Sequence, residues 1–130
     1  MRLAKIAPVA LAVLLLAGCA TATPRPETAA TAWRSVEAHT LRTLEAVDLL
    51  RKETLRAAVR ANVAGTLSDA QFEVIAQRGR ELDVAELAAG RALELWLLSA
   101  KAGLPASTGD LDVAMAAVDL AKMALLGGGT

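Results

Sequence analysis

From Trp33 onward, apolar and charged positions alternate along the chain with a helical period. Trp33, Val36, Leu41, Leu44, Val47, Leu55 and Val59 fall within one broad face when each residue is turned by 100°. The opposite face collects Arg34, Glu37, Arg42, Glu45, Asp48, Arg51, Lys52, Glu53, Arg56 and Arg60. Several of these pair across one turn, such as Asp48 with Lys52 and Glu53 with Arg56. The pattern predicts a first helix over about 27–64, stopped by Gly65.

Ser68-Asp69-Ala70-Gln71 is a capping box, and Leu67 and Phe72 are placed for the accompanying hydrophobic staple. Phe72, Ile75, Gly79, Leu82, Glu86, Ala89, Leu93, Trp96 and Ala100 then hold a 3-4 spacing. This predicts a second helix running to about 102, ended by Gly103 and Pro105. A competing signal lies inside it. Asp83 and Glu86 form another potential capping box just after Gly79, so a break near 79–83 stands as the alternative to one continuous helix. Leu104–Gly109 is a loop. A third helix is expected over about 110–126, where Leu111, Met115, Val118 and Leu125 share a face. Residues 127–130 read as a flexible tail.

The expected fold class is therefore all-α: a long antiparallel helical hairpin plus a shorter third helix. The three-residue link at Thr66 forces the first two helices antiparallel. It sets Leu82 opposite Leu50, Ile75 opposite Ala57 and Trp96 opposite Val36, with Trp33 near Ser99. Both tryptophans then gather at the open end. The second helix keeps a further apolar strip of Val84, Leu87, Leu95 and Leu98, for which the third helix is the natural cover.

The first residues follow another rule. Arg2 and Lys5 precede an apolar run from Ile6 to Ala17. A run of about a dozen is short of the roughly 20 residues a membrane-spanning helix needs. It reads as the apolar region of a signal peptide. An ordinary secretory signal cut nearby, or an uncleaved anchor, would share these features. Leu16-Ala17-Gly18-Cys19, at the end of that run, resembles the lipobox of bacterial lipoproteins. The resemblance implies that the Cys19 sulfur receives a diacylglycerol, that cleavage falls before Cys19, and that the new amine is acylated. Ala20 stands where an Asp often retains such proteins at the inner membrane. This favours the periplasmic face of the outer membrane.

The chain then divides into a cleaved signal helix (1–18), the acylated Cys19 with a tether (19–26), a helical domain (27–126) and a tail (127–130). Pro24 and Pro26 bias the tether to extended forms. The segment Gly65 to Ile75, read as G-x-L-S-D-A-Q-F-x-x-I and followed by an Ala-rich helix, resembles small helical lipoproteins of Gram-negative bacteria and their phages or prophages. That resemblance carries no functional residue over to this chain.

Composition narrows the function classes. Ala (30) and Leu (22) dominate, Tyr is absent, and Ile occurs only at Ile6 and Ile75, which excludes a β-sandwich or barrel. The net charge is zero, and loss of Arg2 and Lys5 leaves 12 basic against 14 acidic residues. No basic excess points to nucleic acid. The single Cys excludes a disulfide framework and, once acylated, leaves no thiol chemistry.

Few side chains suggest chemistry. His39, the only histidine, falls on the charged side of the first helix, where a solvated position is expected. Glu86 lies within the apolar strip of the second helix, so a lone carboxylate there needs Arg42 or Arg51 to reach it. Gly79, Ala85, Ala89 and Gly90 form a small-residue strip suited to close helix packing. Arg78 and Arg80 beside Glu81 and Asp83 read as a mixed charged surface. Leu49, Val113 and Leu120 lie on otherwise polar faces and are the candidate interface residues. No catalytic set, metal-ligand spacing or cofactor motif is expected; the only added group is the covalent lipid on Cys19.

The leading expectation is a membrane-anchored, non-enzymatic interaction or structural component of the cell envelope, with a protein partner or self-association through its helices. A carrier or sensor of apolar ligands is the alternative, and an enzyme with an unrecognised site the third reading.

Overall fold

The computed structural model describes residues 31–127. The expected signal segment, the expected lipobox (Leu16, Ala17, Gly18) with Cys19, the expected tether, residues 27–30 and residues 128–130 lie outside the described residues. Within them are three helices and no strand: α1 (Trp33–Val63), α2 (Asp69–Lys101) and α3 (Gly109–Leu126). The all-α hairpin with a shorter third helix is the observed fold.

The turn between α1 and α2 follows its local chemistry. Gly65 takes φ +77°, a left-handed conformation that glycine adopts without steric cost. The Thr66 amide closes back onto the Ala61 carbonyl at 2.9 Å. The capping box forms in both directions: the Gln71 amide donates to Ser68 Oγ at 3.2 Å, and the Ser68 amide donates to Gln71 Oε1 at 3.0 Å. Asn62 Nδ2 straddles the turn, donating to the Leu67 carbonyl and to Asp69 Oδ1. At the opposite end Gly103 repeats the left-handed stop at φ +73°.

The helix α2 is continuous through 79–83. The potential second capping box at Asp83 and Glu86 is unused, because both carboxylates reach Arg51 across the hairpin. The alignment lies close to that expected from the turn. Gly79 sits against Leu55, and Lys101 lies over the Trp33 ring, where Ser99 was expected nearest.

Three expectations need correction. Thr31 and Ala32 form a turn, so α1 opens at Trp33, later than the predicted start. The buried face of α1 is also rotated. Thr40, Val47 and Ala58 are buried, with Leu44 and Leu55 half-buried, whereas Leu41 and Val59 are exposed. Arg51 falls on this seam rather than on the charged face. Finally, α3 does not cover the strip Val84, Leu87, Leu95 and Leu98, which stays exposed. It packs Val118 and Leu125, flanked by Ala114, Met115 and Ala121, onto Leu82, Ala89 and Val47.

The reason lies in side-chain size. Ala85 and Ala89 let the α3 backbone close onto α2, and polar contacts fix its two ends. Arg78 Nη1 donates to the Ala124 carbonyl at 3.1 Å, and Trp96 Nε1 donates to the Ala106 carbonyl at 3.4 Å. The small-residue strip is thereby divided: Gly79 serves contact with α1, Ala89 is fully buried in the core, and Gly90 borders open space.

Candidate interaction surface and ion-pair cluster

Polar chemistry concentrates halfway along the α1–α2 seam. On α1 the inward positions recur as Thr40, Leu44, Val47, Arg51, Leu55 and Ala58; on α2 they recur as Ile75, Gly79, Leu82, Glu86, Ala89 and Leu93. One arginine and one glutamate thus occupy facing core positions. Arg51 Nε lies 3.1 Å from Glu86 Oε2, and its Nη2 reaches Asp48 and, at 3.2 Å, Asp83. Lys52 adds a second cation on Asp48 at 2.6 Å. The side chains of Arg51 and Glu86 are only 16% and 11% exposed.

Burial holds the Glu86 carboxyl above the usual carboxylate range, against the opposing pull of Arg51. The Lys52 hydrogen bond, with help from Arg51, holds Asp48 below its usual value. Glu86 Oε1 is buried and has no hydrogen-bond partner among the described residues.

Two carboxyl groups displaced in opposite directions resemble an acid and a base pair. They also line one groove of about 550 Å3 with Glu45, Asp83 and Arg91. The geometry favours a structural role. Glu86 and Asp48 are turned onto one arginine, and the free oxygen of Glu86 is shut away from the groove's solvent. No group of three or more His, Cys, Asp or Glu side chains among the described residues is arranged to hold a metal ion. His39 is exposed on α1.

The larger unexplained feature is aliphatic. Val84, Leu87, Leu95 and Leu98 on α2, with Val113 and Leu120 on α3, are 63% to 71% exposed. Their spacing on α2 spans four turns of one face, interrupted only by Arg91. Val113 and Leu120 sit two turns apart, each two residues from a buried or half-buried neighbour, so they share the outward face of α3 with the exposed Ala116 and Ala117. The contacts of α2 with α1 run through Gly79, Asp83 and Glu86, and those with α3 through Arg78 and Ala85. Helical geometry then turns Val84, Ala88 and Leu95 on α2, and Val113, Ala117 and Leu120 on α3, toward the side of the pair that α1 leaves open.

Of the three candidate interface residues, Val113 and Leu120 belong to this surface. Leu49 does not. It is exposed on the outward face of α1 between Glu45, Lys52 and Glu53, apart from the α2–α3 row. The α2 strip went unrecognised as an open surface because the third helix was expected to lie on it. The ion-pair cluster is signalled in the sequence by the glutamate at position 86 of the apolar register, and of its two candidate partners, Arg42 and Arg51, the structure selects Arg51.

No helix among the described residues is long and apolar enough to cross a membrane. No known protein family matches the chain, and no curated protein or solved structure is significantly similar to it.

Proposed function

We propose that the chain is a membrane-anchored helical lipoprotein of the cell envelope that acts without catalysis, by presenting the open face of its α2–α3 pair to a helical protein partner or to another copy of itself. Cys19 would carry the lipid after cleavage behind Leu16-Ala17-Gly18, and residues 20–26 would give the domain reach. The anchor places the domain on the periplasmic face, at the outer membrane in preference to the inner. The resemblance of Gly65–Ile75 to small lipoproteins of Gram-negative bacteria and their phages is in keeping with this, and leaves both origins open.

The observation that carries the reading is the row of outward aliphatic side chains. Val84, Leu87, Leu95 and Leu98 face solvent although the core of this Ala-rich chain is built from few large residues. Leaving four such side chains on one helix forgoes about 1.5–3 kcal/mol of burial for each. Contiguous apolar surface of this kind marks interaction sites. The alternative, a carrier of apolar ligands between the helices, has less support, because Leu82, Ala89, Val118 and Leu125 fill that space.

The test is photocrosslinking of the acylated protein in its host membrane. A crosslinking residue at Leu95 or Leu120 should capture a discrete protein partner or a second copy of the chain, and one at Arg56 should not. Capture from Arg56 alone, or from neither apolar position, would sink the proposed surface.

A further inference from the structure

The end of the bundle where α1 begins and α2 finishes differs in composition from the rest of the surface. Trp33, Val36, Trp96, Leu104 and Pro105 line an open depression of about 590 Å3 there, and no charged side chain lines it. Leu104 projects from it, 59% exposed. Leu104 follows the left-handed Gly103 and closes the helix through its amide onto the Ser99 carbonyl at 3.1 Å. In such a stop the residue after the glycine commonly packs on an apolar side chain one turn back. Leu104 stays 59% exposed all the same.

Two cations flank the same site. Lys101 Nζ lies 4.7 Å from the centre of the Trp33 ring, and the Arg34 guanidinium lies 5.4 Å from it. Lys101 also lies 3.9 Å from Glu37. Tryptophan beside lysine and arginine, over exposed leucine, is the composition that settles at a membrane–water boundary: the ring bodies and leucines enter the acyl region while the cations stay at the headgroups.

From these features we infer that this end of the molecule is a lipid-contacting surface, seated on the phospholipid headgroups of the membrane that holds Cys19. The inference rests on the anchoring reading above. The length of chain upstream selects the occupant. Cys19 precedes Trp33 by fourteen residues, which fully extended reach at most about 50 Å. The anchor therefore keeps this end nearer the bilayer than the Gly65 turn, which lies at the far end of two helices of 31 and 33 residues. Tethered in this way, the surface needs only weak affinity to stay seated.

The tryptophans report directly, since the chain has two and both lie at this end. The mature acylated chain is reconstituted into vesicles of phosphatidylethanolamine and phosphatidylglycerol, with and without bromine on the upper part of the acyl chains. Brominated lipid should quench tryptophan emission relative to unbrominated vesicles, as expected for rings at the boundary. The variant Leu104→Glu changes an exposed position only, so its circular dichroism should match that of the parent. It should lose the quenching while still floating with the vesicles.

A parent chain that floats, carries lipid on Cys19 and shows no quenching overturns the inference and leaves the anchor standing. Quenching that survives Leu104→Glu overturns it as well, since another face or the upstream segment would then be in contact. A chain whose mass shows no lipid on Cys19 removes the anchoring reading, and this inference with it.

Discussion

Replacing Arg51 by Leu should be among the most damaging single changes in the hairpin, whereas replacing its partner Glu86 by Leu should be nearly harmless. Without Arg51, Glu86 keeps its place among Leu82, Ala89 and Val47 with no cation beside it, and its side chain is only 11% exposed. Removing one member of a buried pair costs about 3–5 kcal/mol where burial is complete. Arg51 is 16% exposed at the edge of the seam, so about 2–4 kcal/mol is expected. Glu86→Leu removes a carboxyl that burial already disfavours, together with the unpartnered Oε1, and leaves Arg51 with Asp48 and Asp83. Its effect should stay within about 1 kcal/mol in either direction. The double variant should be more stable than Arg51→Leu alone.

Urea denaturation of the mature chain, followed by far-ultraviolet circular dichroism, measures all three. The pH dependence adds a second readout. The Glu86 carboxyl is raised, so the folded state holds its proton where the unfolded chain has released it. Its contribution is fully present below the unfolded value and is lost as pH rises through the folded one. Asp48 is lowered, so its contribution is present above the unfolded value and is lost as pH falls through the folded one. The two oppose each other on acidification. Glu86→Gln should therefore lose stability more steeply than the parent below about pH 5, where carboxylates begin to protonate. Finding Glu86→Leu as damaging as Arg51→Leu, or the double variant no better than Arg51→Leu, would refute this account of the seam.

Other changes separate packing from surface. Gly90 faces open space, so Gly90→Ala should raise stability by about 0.8–1 kcal/mol through helix propensity. Gly79→Ala should give no such gain, because its Cβ would stand 2.9 Å from Leu55 Cδ2 and crowding offsets the propensity. Leu82→Ala should cost about 2–5 kcal/mol in the same denaturation assay, since Leu82 is fully buried among all three helices. Leu95→Glu and Leu120→Glu should each leave stability within about 0.5 kcal/mol while abolishing the crosslinked product.

What could be read from the chain beforehand was whatever depends on local chemistry. The Ser68–Gln71 box, the left-handed glycines at 65 and 103 and the antiparallel hairpin all follow from neighbouring residues, and all are present. The rotation of α1 was not legible, because large apolar residues dominate any estimate of a helix's buried face. Leu41 and Val59 pulled the expected face aside, while the residues that are buried, Thr40 and Ala58, are polar or small. The seat of α3 was hidden for a related reason. Its contact on α2 is made through alanines that allow close approach, and the larger Val84, Leu87, Leu95 and Leu98 are left outside. Hydrophobicity alone ranks those two faces in the wrong order. Glu86 was legible as an anomaly within an apolar register. Arg51 was one of two candidate partners until the seam itself was seen.

The central claim is that Cys19 fastens this helical domain to a membrane, and the intact mass of the mature protein purified from its host's membranes tests it most directly. The mature chain should begin at Cys19 and carry a thioether-linked diacylglycerol and an amide-linked acyl chain. A chain that retains Met1, or one that begins elsewhere with an unmodified Cys19 thiol, would contradict it.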